Sequence, residues 1–315
     1  MTAPPTSRTE DGTVPPPAPP PGRAAFLRGL LREARPKQWV KNVLVVAAPA
    51  AAGVLDSVAS LGRVLVAVVA FCLAASGTYF LNDLLDVQAD RQHPTKRHRP
   101  IAAGIVPVPV AWVAAVLLLV GGIALGFATG HWQLPVVVAA YATLTTAYSI
   151  KLKHVAAVDI VVVAAGFVLR ALGGAAAVAV PVSQWFFTVA SLGSLFMVAG
   201  KRKAELRALS EGAAKVRSTH AVYTAGYLNY VEATASGAAL VSYCLWAFER
   251  QGEVSSPVPF FVLSVVPFVL GFLRYALLVD GGAGEEPEEL ALHDRPLLFC
   301  ALAMAALLFL GTLFS

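Results

Sequence analysis

The chain has 315 residues, of which 57% are hydrophobic and 14% are charged, and its formal net charge is +5. Soluble domains carry about 25% charged residues, so this composition excludes an ordinary soluble domain and predicts one all-α bundle in a membrane. The positive charge does not indicate a nucleic-acid-binding protein, because the basic residues lie in loops between apolar segments. Cys72, Cys244 and Cys300 lie far apart within those segments, so they form no metal pattern and suggest no disulfide framework.

The N-terminal part of the chain changes character at residue 24. Residues 1–23 are rich in proline, threonine and alanine, which predicts a disordered tail without a core. Residues 24–37 instead place apolar and basic side chains at helical spacing. These are Phe26, Leu27, Leu30 and Leu31, with Arg28, Arg32 and Arg35. The pattern predicts an amphipathic interfacial helix that lies on an anionic membrane surface.

Residues 38–315 predict a nine-transmembrane-helix bundle. The apolar segments are about 40–55, 61–85, 106–128, 133–151, 155–180, 184–200, 224–249, 256–279 and 297–314. Most reach the roughly 20 residues that a crossing requires, although the first is short. Nine crossings place 21 of the 24 lysines and arginines on the N-terminal side, which predicts a cytoplasmic N-terminus. We therefore predict a multi-pass protein of the cell (inner or plasma) membrane, with its chemistry at the cytoplasmic face.

An acidic cluster closes the second apolar segment. Its members are Asn82, Asp83, Asp86 and Asp90. On one continuous helix these four side chains fall within an arc of about 100° and converge on one point. Hard oxygen ligands suit Mg²⁺, which usually accompanies a phosphorylated substrate. We therefore predict that all four bind Mg²⁺ and that the three aspartates are catalytic; a solvated acidic helix end is the plainer alternative.

Basic and polar groups at the same membrane edge are candidates for binding the substrate. They are Lys41 and Asn42; Lys96, Arg97 and Arg99; Tyr148 and Lys153; and Lys201, Arg202 and Glu205, together with Asn82. For several of them a plainer interpretation stays open. Lys41 can extend to the lipid headgroups, Lys153 can serve topology alone, and Lys201 can pair with Glu205 four residues later.

These motifs together carry a family resemblance. Asn-Asp-x-x-Asp-x-x-x-Asp at the end of the second of nine helices resembles the first signature of the UbiA-type membrane prenyltransferases. The finer pattern resembles one branch of that family, which acts on decaprenyl phosphate in actinobacterial synthesis of arabinan precursors. The segments that carry it are 35–42, 82–104, 200–206, 273–276 and 294–295.

The resemblance implies a reaction and its participants. A 5-phosphoribosyl group would move from 5-phosphoribosyl 1-diphosphate to a polyprenyl phosphate lipid within the bilayer, with Mg²⁺ as cofactor and Mn²⁺ as a substitute. Lys41, Lys153, Lys201 and Arg202 would orient the phosphates. Lys96, Arg97 and Arg99 would close over the donor.

One departure from the family bears on the substrate. Members that use a prenyl diphosphate generally carry a second Asp-x-x-x-Asp motif after the sixth span, where this chain has Lys201-Arg202-Lys203-Ala204-Glu205. A basic group there predicts direct contact with a phosphate. Prenyl transfer from a prenyl diphosphate to an aromatic acceptor is the alternative reaction. A transporter is less favoured, because the ionisable residues crowd one face and only Arg170 lies deep within a span.

Overall fold

A computed structural model describes residues 22–210, 222–282, 290 and 293–314, with the backbone alone at 208–210. Within these residues the protein is helical and has no β-strand. The helices are α1 (Arg23–Glu33), α2 (Leu44–Ala51), α3 (Val58–Leu85), α4 (Val87–Gln92), α5 (Val108–Gly126), α6 (Gln133–Ile150), α7 (Val158–Ala177), α8 (Gln184–Ser210), α9 (Ala225–Gly252), α10 (Phe260–Leu263), α11 (Val265–Asp280) and α12 (Arg295–Leu313). The all-α prediction is therefore confirmed for this part of the chain.

Six helical segments in the described residues are long and apolar enough to cross a membrane. They are Val58–Leu85, Val108–Thr129, Val158–Ala177, Ala225–Gly252, Phe260–Asp280 and Arg295–Leu313. The other predicted spans coincide with α2, α6 and α8. The count of nine crossings and the side of the N-terminus stay predictions.

The N-terminal segment has two parts joined by a sharp turn. The helix α1 ends at Glu33, before the limit of 37 that the sequence predicts, and the 3₁₀ segment Pro36–Val43 follows it. The break lies at Arg35, whose φ of 51° and ψ of 60° are left-handed. The following proline disfavours the α conformation at this position, which ends the helix. The predicted tail lies outside the described residues, apart from its last two.

Helix α3 forms the centre of the first core. Ser57 caps its first turn by accepting a hydrogen bond from the backbone N–H of Ser60 at 3.1 Å. Phe71 is fully buried and its ring meets that of Tyr141 on α6, with the centroids 5.4 Å apart. Packing against α5, α6 and α7 fixes the direction of α3 and therefore the place where its C-terminal end lies.

The short helix α2 packs against α7 through backbone contact. It has eight residues, or about 12 Å, which is less than half of a bilayer core. A Cβ atom at Gly174 would lie 1.7 Å from the carbonyl oxygen of Val45, so only glycine allows this approach. The first predicted span therefore contains only this short helix, and one side of the helix packs closely against α7.

A buried polar network joins the 3₁₀ segment to α3, α6 and α7. Arg170 on α7 donates to Asn42 Oδ1 at 2.8 Å, to the Gly166 carbonyl oxygen at 2.8 Å and to the Tyr141 hydroxyl at 2.8 Å. Asn42 in turn donates to Cys72 Sγ at 3.1 Å. Arg170, the ionisable residue that the sequence places deep within a span, therefore binds a helix carbonyl and two neutral side chains.

Candidate active site at the helix ends

The acidic cluster is split between two helices. Helix α3 ends at Leu85, Asp86 is its C-cap with φ −94° and ψ 4°, and α4 begins at Val87. The prediction that one helical face carries all four side chains is therefore wrong, because the helix breaks at Asp86. The turn stays compact, since the Asp90 N–H donates to the Asp86 carbonyl oxygen at 2.8 Å.

Asp83 and Asp90 nevertheless meet at one cation. Arg99 NH1 lies 3.0 Å from Asp83 Oδ1 and 2.7 Å from Asp90 Oδ2, and both acids are 2% exposed. Arg35 NH2 binds Asp83 from the other side, at 2.7 Å from Oδ2. The Asn82 amide adds a longer bond of 3.3 Å to Asp83 Oδ1. Asp83 is therefore held between two arginines, and one guanidinium nitrogen marks a point that both carboxylates reach.

Asp86 faces a different cation and is the most accessible of the three acids. Lys153 Nζ lies 2.9 Å and 3.0 Å from its two carboxylate oxygens, and the Asp86 side chain is 34% exposed. Lys153 lies in the 3₁₀ turn Leu152–His154 between α6 and α7. This contact brings the start of α7 beside the end of α3, as the predicted common membrane edge requires.

The chemistry of the donors fits a hard divalent ion. The cluster supplies only carboxylate and carboxamide oxygens, and the shared position of Arg99 between Asp83 and Asp90 shows that two of the acids converge. Within the described residues, however, no three acidic, histidine or cysteine side chains form a ready-made metal site. Arginine and lysine occupy the carboxylates instead, so binding of a metal requires that these cations move aside.

Arg202 and Lys203, in the C-terminal third of α8, are buried and neutralised by acids. Arg202 is 3% exposed, and its Nε lies 3.1 Å from Asp159 Oδ2 at the start of α7. Its NH1 donates to Glu205 at 2.6 Å and its NH2 to the Tyr148 hydroxyl at 3.0 Å. The expectation of an open Arg202 that contacts phosphate is therefore corrected: this side chain lies inside the protein and ties α6, α7 and α8 together.

Tyr223 completes this buried group, and no pattern in the sequence points to this residue. Its hydroxyl donates to Asp159 and accepts the Ala157 N–H at 2.7 Å. Burial and the hydrogen bond to Asp159 hold the pKa of Tyr223 above its usual range, so the phenol stays protonated. The residue thereby anchors the start of α9 to the start of α7.

Lys203 belongs to a separate structural group. Its Nζ lies 3.3 Å from Glu232 on α9 and 3.2 Å from Asp280 at the end of α11. The sequence did not single out either partner, because both lie far along the chain. Arg202 and Lys203, which stand where the second acidic motif would be, therefore form ion pairs with acids on α7, α9 and α11.

The remaining predicted residues differ in their access to substrate. Asn42 is 1% exposed and belongs to the Arg170 network, which corrects the prediction that it binds substrate directly. Lys41, Lys96 and Lys201 are partly exposed, and Arg97 is exposed. These four side chains reach solvent at or near the same helix ends.

Comparison with known proteins identifies the family. The model of the UbiA prenyltransferase family matches residues 43–302. The chain belongs to this family. This UbiA-family protein is 45% identical over 306 residues to the decaprenyl-phosphate phosphoribosyltransferase of Mycobacterium tuberculosis, which covers 95% of this chain and 97% of the relative. It is also 45% identical over 278 residues to the enzyme of that name from Corynebacterium glutamicum, over 87% of this chain and 84% of the relative.

The fold of this UbiA-family protein matches solved structures at low sequence identity. A UbiA homologue from Archaeoglobus fulgidus bound to DMAPP and Mg²⁺ aligns over 90% of this chain and 98% of its own, with a TM-score of 0.66 and 15% identity. A second structure, digeranylgeranylglyceryl phosphate synthase, aligns with a TM-score of 0.60 and 16% identity, over 92% of this chain and 98% of its own. The helical arrangement described above is therefore the UbiA fold.

The N-terminal segment of this UbiA-family protein, α1 and the turn after it, supplies two residues that the predicted site omits. Glu33 is 1% exposed beside Asp83, and Arg35 forms the ion pair with that acid. Burial, reinforced by the neighbouring Asp83, raises the pKa of Glu33 to about 8. The signal available in the sequence was that Glu33 is the one acid within an otherwise basic helical segment. The candidate site therefore begins in α1, before the first apolar segment.

Proposed function

We propose that the protein transfers a 5-phosphoribosyl group from 5-phosphoribosyl 1-diphosphate to a polyprenyl phosphate, releasing diphosphate. The observation that carries this proposal is the 45% identity to a decaprenyl-phosphate phosphoribosyltransferase along nearly the whole of both chains. The absence of a second acidic motif agrees with it, because Arg202 and Lys203 stand where a second metal-binding pair would be needed for a prenyl diphosphate. The product would serve arabinan precursor synthesis for the cell wall.

The acidic cluster would bind the donor's diphosphate through Mg²⁺. Asn82, Asp83, Asp86 and Asp90 would hold the ion, which neutralises the charge that develops on the leaving diphosphate. Mn²⁺ also prefers these oxygen ligands. Asp86 and Asp90 would give up Lys153 and Arg99 when the ion binds, and both cations then lie beside the donor. There they can donate charge-assisted hydrogen bonds to its phosphates.

Other cations of this face would bind the two substrates' phosphates. Lys96 and Arg97 lie in the loop beside the acidic cluster and would close over the donor. Lys41 and Lys201 would orient the lipid phosphate. This phosphate is already an oxyanion at neutral pH, so its attack on the anomeric carbon needs positioning and no general base.

Arg202 would act through its neighbours, because it is buried. It fixes Tyr148 and Glu205, at 3.0 Å and 2.6 Å, and both of these side chains are partly exposed. We therefore assign Arg202 as a positioning residue and Tyr148 and Glu205 as candidates for contact with substrate. The site would face the cytoplasm of the plasma membrane, where the phosphoribosyl donor is available, and the lipid tail would lie in the bilayer.

The test of this proposal is a choice between two labelled donors. Membranes that contain the protein are incubated with decaprenyl phosphate, Mg²⁺ and either labelled 5-phosphoribosyl 1-diphosphate or labelled prenyl diphosphate with an aromatic acceptor. We expect label from the first donor in the organic phase, and none with an Asp86→Asn variant. Label that moves only from the prenyl diphosphate would assign the protein to aromatic prenyl transfer and overturn the proposal.

A further inference from the structure

Helix α1 has an outward face that combines apolar and basic side chains. Leu27 and Leu31 are 63% and 60% exposed, and Arg28 and Arg32 are also exposed. Each pair repeats at a spacing of four residues, so the leucines and the arginines form two stripes side by side, about 100° apart around the helix. The only acid of the helix, Glu33, lies on the opposite, buried face. The outward face therefore carries only positive charge.

The inner face of α1 is docked on the acidic site. A Cβ atom at Gly29 would lie 2.8 Å from a methyl group of Ile105, in the loop that precedes α5. Helix α1 therefore approaches this loop closely. Leu30 and Ala34 pack on the buried cluster that contains Phe80 at the end of α3. Together with the buried Glu33, these contacts place the inner face directly against the segment that carries Asp83.

The turn after α1 transmits the position of the helix to the site. Arg35 reaches Asp83 from its left-handed conformation and lies over the ring of Tyr79, with its Cζ 4.8 Å from the ring centroid. Trp39 donates to the Ser76 hydroxyl at 3.1 Å, and Ser76 donates to the Ala34 carbonyl oxygen at 2.9 Å. A displacement of α1 must therefore change the contacts of Asp83.

From these contacts we infer that α1 is a membrane-surface sensor whose partner is the anionic headgroup layer of the bilayer that holds the protein. Charge complementarity selects this partner, because the exposed cations flank exposed leucines and no exposed acid of α1 opposes them. The segment that follows α1 also exposes an apolar side chain, since Val43 is 63% exposed. Anionic lipid would hold α1 in the docked position and keep Glu33 and Arg35 on Asp83.

The experiment compares two membranes and needs no turnover for its first reading. The full chain is placed in nanodiscs of phosphatidylcholine alone or of phosphatidylcholine with phosphatidylglycerol, and amide hydrogen exchange is followed in residues 25–34 and 86–92. We expect the phosphatidylglycerol discs to slow exchange in both segments. Each arginine near an anionic surface contributes about a fivefold change in affinity, so Arg28→Gln with Arg32→Gln should remove most of the effect.

Two matched variants control for charge and for folding. Arg63→Gln with Arg250→Gln removes two exposed arginines remote from α1 and should leave the effect intact. Arg28→Lys with Arg32→Lys keeps the charges and should restore it. Equal exchange in the two membranes, or slowing that survives the glutamine pair, would overturn the inference. Protection that depends on protein concentration in phosphatidylcholine discs would also overturn it, by showing that a second copy of the chain covers the leucines.

A measurement of the transfer rate rests on the proposed function. It separates failure of that function from failure of the inference that α1 senses anionic lipid. We expect phosphatidylglycerol to raise the transfer rate about five- to twentyfold for the unaltered chain, and much less for the glutamine pair. If no transfer occurs in any disc while lipid-dependent exchange is seen, the proposed function fails and the sensor stands. Transfer that does not respond to phosphatidylglycerol, with responsive exchange, rejects the coupling to Asp83.

Discussion

Replacing Asp159 with asparagine tests whether the charge of Arg202 is held inside the protein. Arg202 is 3% exposed and has Asp159 at 3.1 Å and Glu205 at 2.6 Å. Removal of one member of a buried ion pair costs about 3–5 kcal/mol. Because Glu205 remains and the asparagine oxygen can still accept from Tyr223, we expect a loss of about 2–3 kcal/mol of unfolding free energy, or roughly 30- to 150-fold.

The assay is unfolding in mixed detergent micelles, followed by tryptophan fluorescence. The double variant Asp159→Asn with Arg202→Gln should recover more than half of the loss, because no uncompensated cation remains. Arg250→Gln serves as the control. Arg250 is paired with Glu253 at an exposed helix end, where an ion pair contributes about 0–1 kcal/mol.

The opposite result would show that Arg202 binds substrate. If Asp159→Asn stays within about 0.5 kcal/mol of the original stability while Arg202→Gln raises the KM for 5-phosphoribosyl 1-diphosphate alone, the side chain contacts phosphate. By contrast, Lys201→Ala, at a partly exposed neighbour, is expected to raise the KM of one substrate with little change in stability. Loss of one charge-assisted hydrogen bond to phosphate should raise that KM about ten- to a hundredfold.

Three further predictions concern the acidic end of α3 and the helix that covers it. Asp86→Asn or Asp90→Asn should lower turnover about a hundredfold or more without unfolding, measured as initial rates over a Mg²⁺ titration; near-normal rates in both would exclude the metal role. EDTA should abolish transfer, and Mg²⁺ or Mn²⁺, but not Zn²⁺, should restore it, since the cluster offers only oxygen ligands. The third prediction concerns Glu33. Burial, together with the neighbouring Asp83, raises the pKa of Glu33 from 4.5 to about 8. Between these values the folded protein keeps a proton that the unfolded chain has released, so stability falls as the pH rises through this window. Glu33→Gln should remove that fall in unfolding titrations at pH 5 to 8.5, and an unchanged slope would contradict it.

Local chemistry was readable from the sequence, whereas the partners of each charge were not. The sequence predicts a site at the acidic cluster, the basic loop after it and Lys153, because charged residues at the end of an apolar run are costly without a function. The pairing of Arg202 with Asp159 escaped because it joins residues 43 positions apart on two helices. The prediction that residues 82–90 share one helical face is wrong for a local reason. It assumes one continuous helix, whereas Asp86 lies at the junction between α3 and α4.

Two buried polar side chains, Asn42 and Glu33, have partners that the sequence does not reveal. The sequence predicts that Asn42 contacts substrate, because this polar residue lies at the membrane edge, yet its side chain turns inward to Arg170. Glu33 is absent from the predicted site, because a single acid within a basic amphipathic segment forms no pattern that assigns it a role. Orientation around a helix near its end depends on which neighbours pack there, and in both cases those neighbours are distant in sequence.

The Arg170 network also bears on how the protein is made. An arginine at the centre of a membrane helix costs about 2.5–3.5 kcal/mol during insertion. Its two side-chain partners, Asn42 and Tyr141, both precede it in the chain, so they have left the ribosome before α7 does. A nascent chain that ends just after α7 already contains Asn42, Tyr141 and Gly166, the hydrogen-bond partners that Arg170 has among the described residues. The order of synthesis therefore lets α7 leave the translocon into a waiting bundle, and the helix need not pass through lipid with its charge unmatched.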